Sequence, residues 1–399
     1  MRQSSTPVTA SLLTALGIAC LAGIARGDAR RPASSPVRSS VGTITFSVVD
    51  AARPDPVEGG RPREWLAQVF YPIAPAKVKG VYAADKVLLE LLVAEKYYFA
   101  TEPQLRGWGV KPAAAIEGAR PKTPLPLPIV TISPGLGFAR LNYAELAAAL
   151  VGRGFVVIVI DHPYIGYTHL PDGRILRAEQ DARLTTEAPA DSLPAVREWT
   201  RDISVTLDRL IAAGKERAPG LAVDLSRVTA TGHSIGGTAA VDACSADDRV
   251  KACIDFEGFL AGTRAVESGA SRPTMVTFSR AKGRPPTVRP GEPDPTDQLL
   301  SSLSQRGMPV WAVKITGGSH TSYSDAPDVL PETLSHFGGE LMSVPRSMEL
   351  YTGLVEAFAR AYEPAGGGDS AFQTFLDGAS EVNGRRGAVD PPLRGRQDP

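Results

Sequence analysis

Residues 43–49 alternate Thr and Ser with Ile, Phe and Val, and residues 65–71 do much the same. A period of two with one wet face marks the outer strands of a mixed sheet. Six later runs differ: residues 129–132, 155–160, 228–231, 250–254, 274–278 and 310–315 are short and largely apolar or β-branched throughout. Strands that read this way are covered on both faces, as in a parallel sheet. Between the runs the apolar period lengthens. Val196, Trp199, Ile203, Leu207, Leu210 and Ile211 recur at three- and four-residue steps, and residues 141–151 are rich in Ala and Leu before Gly152 and Gly154, both helical patterns. Strands and helices in alternation predict an α/β fold with a mostly parallel, doubly wound sheet and antiparallel outer strands. Ligands of such a sheet sit beyond the carboxyl ends of its strands.

The two ends of the chain read as something other than this sheet. Arg2 precedes an apolar stretch, residues 8–24, and Ala25 and Gly27 are small residues at the positions a signal peptidase inspects. Residues 1–27 are therefore expected to be an export signal, which places the mature protein outside the cytoplasm, secreted or periplasmic. A transmembrane anchor fits less well, because Thr14 and Gly17 interrupt a stretch that falls short of the ~20 apolar residues a bilayer requires. Cys20 could carry a lipid, but Gly17, three residues before it, is a poor match to a lipoprotein site. A single domain is expected over residues 41–364, with insertions near 73–125 and 163–194. In the first, residues 85–99 carry Val87, Leu88, Leu91 and Leu92, a helix that either packs on the core or forms a lid, packing being the commoner fate. Residues 365–399, rich in Gly, Pro, Asp and Arg, read as a flexible tail with room for one short helix at 372–376.

Charge narrows the function. Lys and Arg total 43 and Asp and Glu total 43, so no net field attracts nucleic acid. Outside the export segment only Cys244 and Cys253 remain, and no metal-ligand spacing is present. One falls in an expected helix and the other in a buried strand, so they read as two small core residues rather than a bridge. No metal or organic cofactor is implied.

The chemistry is concentrated after residues 228–231, where Gly232-His233-Ser234-Ile235-Gly236-Gly237 leads into a helical stretch. Strand, G-x-S-x-G and helix in this order describe a nucleophile elbow: a serine on a cramped turn, flanked by glycines because no side chain fits between strand and helix. A serine hydroxyl needs a base, which follows an acid in the chain order of such enzymes. His320, in a glycine-rich loop immediately after the last strong strand, is the better candidate than His336 in a polar stretch further on. For the acid, Asp255 and Glu257 lie at one strand end, on the same side by the period-two rule. The next strand offers no carboxylate until Glu292.

These residues resemble the platelet-activating factor acetylhydrolase family, of the plasma and type II intracellular kind, with its bacterial α/β-hydrolase relatives. The matching blocks are Trp65 leading to Tyr71-Pro72, then Ser133-Pro134-Gly135-Leu136-Gly137, then Asp161-His162-Pro163-Tyr164, the elbow at Ser234, and His320 followed by Tyr323-Ser324-Asp325. They fall in family order within residues 43–362. The resemblance implies an α/β-hydrolase fold and an esterase that works through an acyl-enzyme on small ester or lipid substrates, short or oxidised acyl chains on phospholipids included, with transient contact with a lipid surface. Without a gap from Ser234, the family's catalytic aspartate falls on Glu257, with Asp255 as the alternative acid. The oxyanion donors fall on the backbone N–H groups of Leu136 and Ile235. The family usually has His where Pro134 stands. His162 and Tyr164 either line the substrate pocket or pack a loop. Other chemistries on this scaffold (dienelactone, polyester or peptide hydrolysis) and a non-catalytic binding protein are the competing expectations.

Overall fold

The structure is a computed structural model that describes residues 38–77, 86–95, 102–109, 115–122, 125–184, 189–280, 282, 295–329 and 340–387. The expected export segment with Cys20, and the alternative base His336, lie outside these residues.

Among the described residues ten strands form one sheet. In chain order they are β1 (Arg38–Pro54), β2 (Pro62–Lys77), β3 (Ile116–Glu117), β4 (Leu127–Ser133), β5 (Val156–Asp161), β8 (Val223–His233), β9 (Val250–Phe256), β10 (Thr274–Arg280), β11 (Val310–Thr316) and β12 (Val382–Arg386). Two short strands, β6 (Thr168–His169) and β7 (Ile175–Leu176), make a separate hairpin. The spatial order β12-β11-β10-β9-β8-β4-β5-β2-β1-β3 is parallel from β11 through β5, and antiparallel where β1, β2 and β12 pair. The parallel strands are those that read as apolar runs, and the antiparallel β1 and β2 are those that alternate.

Helices cover both faces, and alternate residues of each strand serve one face or the other. One face, whose core includes Val130, Ile132, Val157 and Val159, is covered by helices α3 (Ala144–Gly152) and α9 (Val344–Ala361), with α10 (Gly368–Asp377) toward the β11 and β12 edge. The other face, whose core includes Ile129, Val156, Ile158 and Ile160, is covered by α4 (Leu193–Arg217) and α5 (Ile235–Ala246), with α7 (Pro295–Leu303) and the short α6 (Arg264–Ser268) toward β11. The short α8 (Ala326–Val329) follows β11. The stripe expected on α4 is observed, except that Ile211 faces solvent.

Helix α1 (Lys86–Ala94) buries Leu88 and Leu92 in the core, and α2 (Glu102–Gly109) buries Leu105 there. The described part of the first insertion therefore packs rather than standing free, while Val87 stays exposed. The second insertion folds Leu170, Leu176 and Leu184 into a small cluster with Tyr164 and Trp199.

Two expectations are corrected. Residues 368–387 are not a flexible tail. Phe372 and Leu376 of α10 enter the main core, and β12 pairs with β11 from Trp311↔Arg386 to Ile315↔Val382. A polar segment can be ordered in this way because an edge strand gains its hydrogen bonds from the backbone, whatever its side chains. Cys244 and Cys253 are not two separate core thiols; they form a disulfide, with Cα atoms 6.1 Å apart. Helix α5 runs back along β9, which brings the end of one beside the middle of the other.

Candidate functional site

The parallel register sets Ser133 of β4 beside Gly232 of β8, and Gly232 beside Asp255 of β9. Past these strand ends the chain turns sharply into α5. Ser234 is the pivot, with φ 53° and ψ −130°, a conformation that non-glycine residues rarely hold and that clusters at functional sites. Its amide donates to the Phe256 carbonyl at 2.7 Å. The glycines around it have no alternative: a Cβ on Gly232 would lie 2.1 Å from the Gly236 carbonyl oxygen, and one on Gly236 would lie 2.1 Å from the Pro134 carbonyl oxygen. The first amides of α5 start at Ile235, where helix geometry leaves N–H groups without partners inside the helix and gathers positive potential.

Glu257 follows β9 immediately and is itself in the left-handed region, φ 60°. That twist swings its carboxylate to His320, whose Nδ1 is 2.8 Å from Oε2. The other oxygen accepts the backbone N–H of Ser279 and the hydroxyl of Tyr323. Tyr323 is buried, stacked on Phe256, and its hydroxyl also meets Ser279 Oγ at 2.7 Å and Thr277 Oγ1 at 3.0 Å. Burial and then the Glu257 charge push its pKa well above the usual value, so it remains a hydroxyl donor.

Asp255 is placed differently. Its Oδ1 accepts the Gly258 N–H at 2.7 Å, and the same oxygen would lie 2.0 Å from a Cβ on Gly237. Buried there, with Glu257 adding like charge and only the Gly258 N–H opposing, its pKa is well above the ordinary carboxylate value. The structure thus joins Glu257, not Asp255, to His320, and Asp255 is a packed carboxyl under the elbow.

His320 stands on the loop after β11, where Gly317 has φ 86° and a Cβ on Gly318 would meet the Tyr351 hydroxyl at 2.5 Å. Its ring packs on that of His233, the residue before Ser234, at a centroid distance of 4.7 Å. His233 is a site residue that the sequence did not single out. Tyr143 Oη lies 2.8 Å from its Nδ1 and accepts the Gly135 N–H at 3.0 Å. Burial, and then proximity to His320, hold the His233 pKa well below the ordinary value.

The loop that should supply the second oxyanion donor also reaches the elbow: a Cβ on Gly135 would lie 3.3 Å from Ser234 Cβ. Leu136 follows it, part exposed, and the Gly137 N–H donates to the Ile165 carbonyl at 2.6 Å. His162 and Tyr164, candidates to line a pocket, are both buried. His162 bridges Ser133 and Asp202, and the Tyr164 hydroxyl donates to Asp55 at 2.7 Å. Both pack loops.

No protein-family model matches the chain. A probable 1-alkyl-2-acetylglycerophosphocholine esterase of Arthroderma benhamiae is 27% identical over 214 residues, 51% of this chain and 50% of the relative. An alpha/beta hydrolase of Aspergillus fumigatus is 38% identical over 85 residues, 20% of this chain and 19% of the relative. The chain thus spans half the length of the first relative and about a fifth of the second. Among solved structures, a ferulic acid esterase from Streptomyces cinnamoneus superposes with a TM-score of 0.66 at 28% identity, covering 88% of this chain and 98% of that one. The chain has the α/β-hydrolase fold, and its resemblance to the platelet-activating factor acetylhydrolase family holds in a relative of that activity.

Proposed function

We propose that the protein is an exported serine esterase that cleaves small carboxylic esters with short acyl chains, phospholipid-type esters among them. The observation that carries this is the His320–Glu257 hydrogen bond beside a serine held at φ 53°. A carboxylate only accepts, so Nδ1 of His320 carries the proton and Nε2 keeps its lone pair, the tautomer a general base needs. In the proposed reaction Ser234 Oγ attacks the ester carbonyl, and His320 Nε2 takes its proton and passes it to the leaving alcohol. Glu257 balances the imidazolium that forms. The backbone N–H groups of Leu136 and Ile235 receive the developing oxyanion, and water then hydrolyses the acyl-enzyme. His233, kept neutral by burial, adds no repulsion to that imidazolium.

The names of the esterase relatives support ester cleavage and differ in the acid released. Leu136 and Phe259, exposed apolar residues on loops beside the elbow, offer an acyl chain a small apolar contact. Export is supported by the apolar segment at residues 8–24 and by the disulfide, a bond typical of oxidising compartments. Labelling by a fluorophosphonate that is lost in Ser234→Ala, with p-nitrophenyl ester turnover falling as the acyl chain lengthens, is the expected result. Folded protein that is neither labelled nor active would favour a binding role. Cleavage of amides or polymers without small-ester turnover would favour the other hydrolase chemistries.

A further inference from the structure

Beneath the elbow lies a buried hydroxyl–imidazole–carboxylate chain. His162 Nδ1 is 3.1 Å from Asp202 Oδ2, and His162 Nε2 is 3.0 Å from Ser133 Oγ. All three residues are fully buried, and the His162 ring stacks on Trp199 at 5.7 Å. Asp202 also accepts from Arg63 Nη2 at 2.7 Å, Arg63 Nε at 2.9 Å and Arg53 Nη2 at 2.6 Å. A carboxylate bound to two guanidiniums accepts only, so His162 donates from Nδ1; burial holds its pKa below the ordinary value, and in the neutral ring Nε2 accepts the Ser133 hydroxyl. Sealed in this way, Ser133 has no access to a substrate.

Its place in the chain gives the set another use. Ser133 is the last residue of β4 and opens the loop that carries Leu136. Its carbonyl oxygen would lie 2.3 Å from a Cβ on Gly236, so its backbone is pressed against the elbow. The far side of the same loop is tied to the turn that His162 begins. The Ile165 N–H donates to the His162 carbonyl at 3.1 Å, and the Ile165 carbonyl accepts the Gly137 N–H at 2.6 Å. A Cβ on Gly166 would meet the Phe138 carbonyl oxygen at 2.1 Å.

We infer that His162 is a positioning residue. Through its side chain to Ser133 and its backbone to Ile165, anchored by Asp202 and Arg63, it clamps both ends of residues 133–137 and fixes where the Leu136 N–H points. This rests on the esterase proposal for its catalytic consequence, but not for the clamp itself.

The test uses Ser133→Ala, which cuts the chain without leaving a buried charge, and Ser133→Thr, which keeps the hydroxyl. If the clamp holds the oxyanion donor, Ser133→Ala lowers kcat by about tenfold, part of what losing such a donor costs. KM stays within about twofold, because ground-state binding is not involved. The inhibition constant of a reversible trifluoromethyl ketone, which forms a tetrahedral adduct, rises by the same factor as kcat falls, and Ser133→Thr recovers most of both. Active sites are counted by fluorophosphonate titration, so that loss of folded enzyme is not mistaken for loss of rate. Independently of turnover, exchange of the Gly137 amide hydrogen quickens in Ser133→Ala. Unchanged kcat and unchanged Gly137 exchange overturn the inference, as does a kcat that falls only with the number of titratable sites. A wild type without ester turnover would sink the esterase proposal, and the exchange measurement would still decide the clamp.

Discussion

The proposed triad of Ser234, His320 and Glu257 and the buried set of Ser133, His162 and Asp202 draw on nearly the same residue types and differ in their surroundings. In the buried set Asp202 faces Arg53 and Arg63, permanent cations. Burial would raise its pKa, but the Arg63 charge and hydrogen bonds hold it below the ordinary carboxylate range. Its charge is already matched. In the outer set the donors to Glu257 among the described residues, besides His320, are the neutral Ser279 N–H and Tyr323 hydroxyl, so its charge remains available to an imidazolium. The side chain of His320 is 43% exposed, whereas His162 is sealed. Ser133 lies on a regular strand and Ser234 at a strained turn. On the proposed function, such groups become reactive where the serine sits at a strained turn and the imidazole is exposed. Elsewhere the same groups are a brace.

The sharpest break in this comparison is Ser234→Ala, expected to lower turnover by on the order of 10⁴-fold or more with folding intact; residual activity within tenfold of wild type would place the nucleophile elsewhere. Next is Glu257→Gln, expected to cost roughly 10²–10⁴ in kcat and little in stability, since the amide fits the same space but presents no charge. The buried set should answer the other way. Asp202→Ala strands Arg63 and is expected to cost about 3–5 kcal/mol in urea denaturation; equal stability to wild type would show that the arginines find other partners. Reducing the Cys244–Cys253 disulfide, which closes a separation of 9 residues, should cost about 2–3 kcal/mol on the chain-entropy view, with kcat unchanged while the protein stays folded.

The smallest effect concerns Asp255. Its folded pKa is raised, so it binds a proton in the native state that the unfolded chain releases above about pH 4. Stability from this group is fully present below that pH and is lost as pH rises toward the folded pKa. Asp255→Asn should therefore be as stable as wild type near pH 4 and more stable at pH 7–8, with kcat within a few-fold. A loss of kcat as large as that of Glu257→Gln would make Asp255 the acid after all.

Much of this was legible in the chain. The parallel strands announced themselves because burial on both faces leaves no polar alternation, and the elbow because its glycines are sterically compelled. Choosing between Asp255 and Glu257 was beyond periodicity. The period-two rule puts both on one side, but β9 ends at Phe256 and the positive φ of Glu257 turns it out of step; only the spacing in the family resemblance pointed to it. The Cys244–Cys253 bridge was missed because it depends on how α5 lies across β9, a tertiary fact. The Arg63–Asp202–His162 cluster was missed because charge inside a fold leaves no trace in a hydrophobic pattern, its partners being distant in sequence. The C-terminal residues misled through composition: backbone pairing by β12 is indifferent to the Asn, Gly and Arg that make it look like a tail.

That last strand has a practical consequence. With β12 in place, the backbone donors and acceptors along one side of β11 are capped, and Trp311 is covered by Phe372 at 5.2 Å. A shortened chain ending before Gly368 would keep every group of the proposed triad, yet would present an uncapped apolar β-edge to its neighbours, the usual template for intermolecular pairing. Shortening it there should yield precipitate rather than a leaner enzyme.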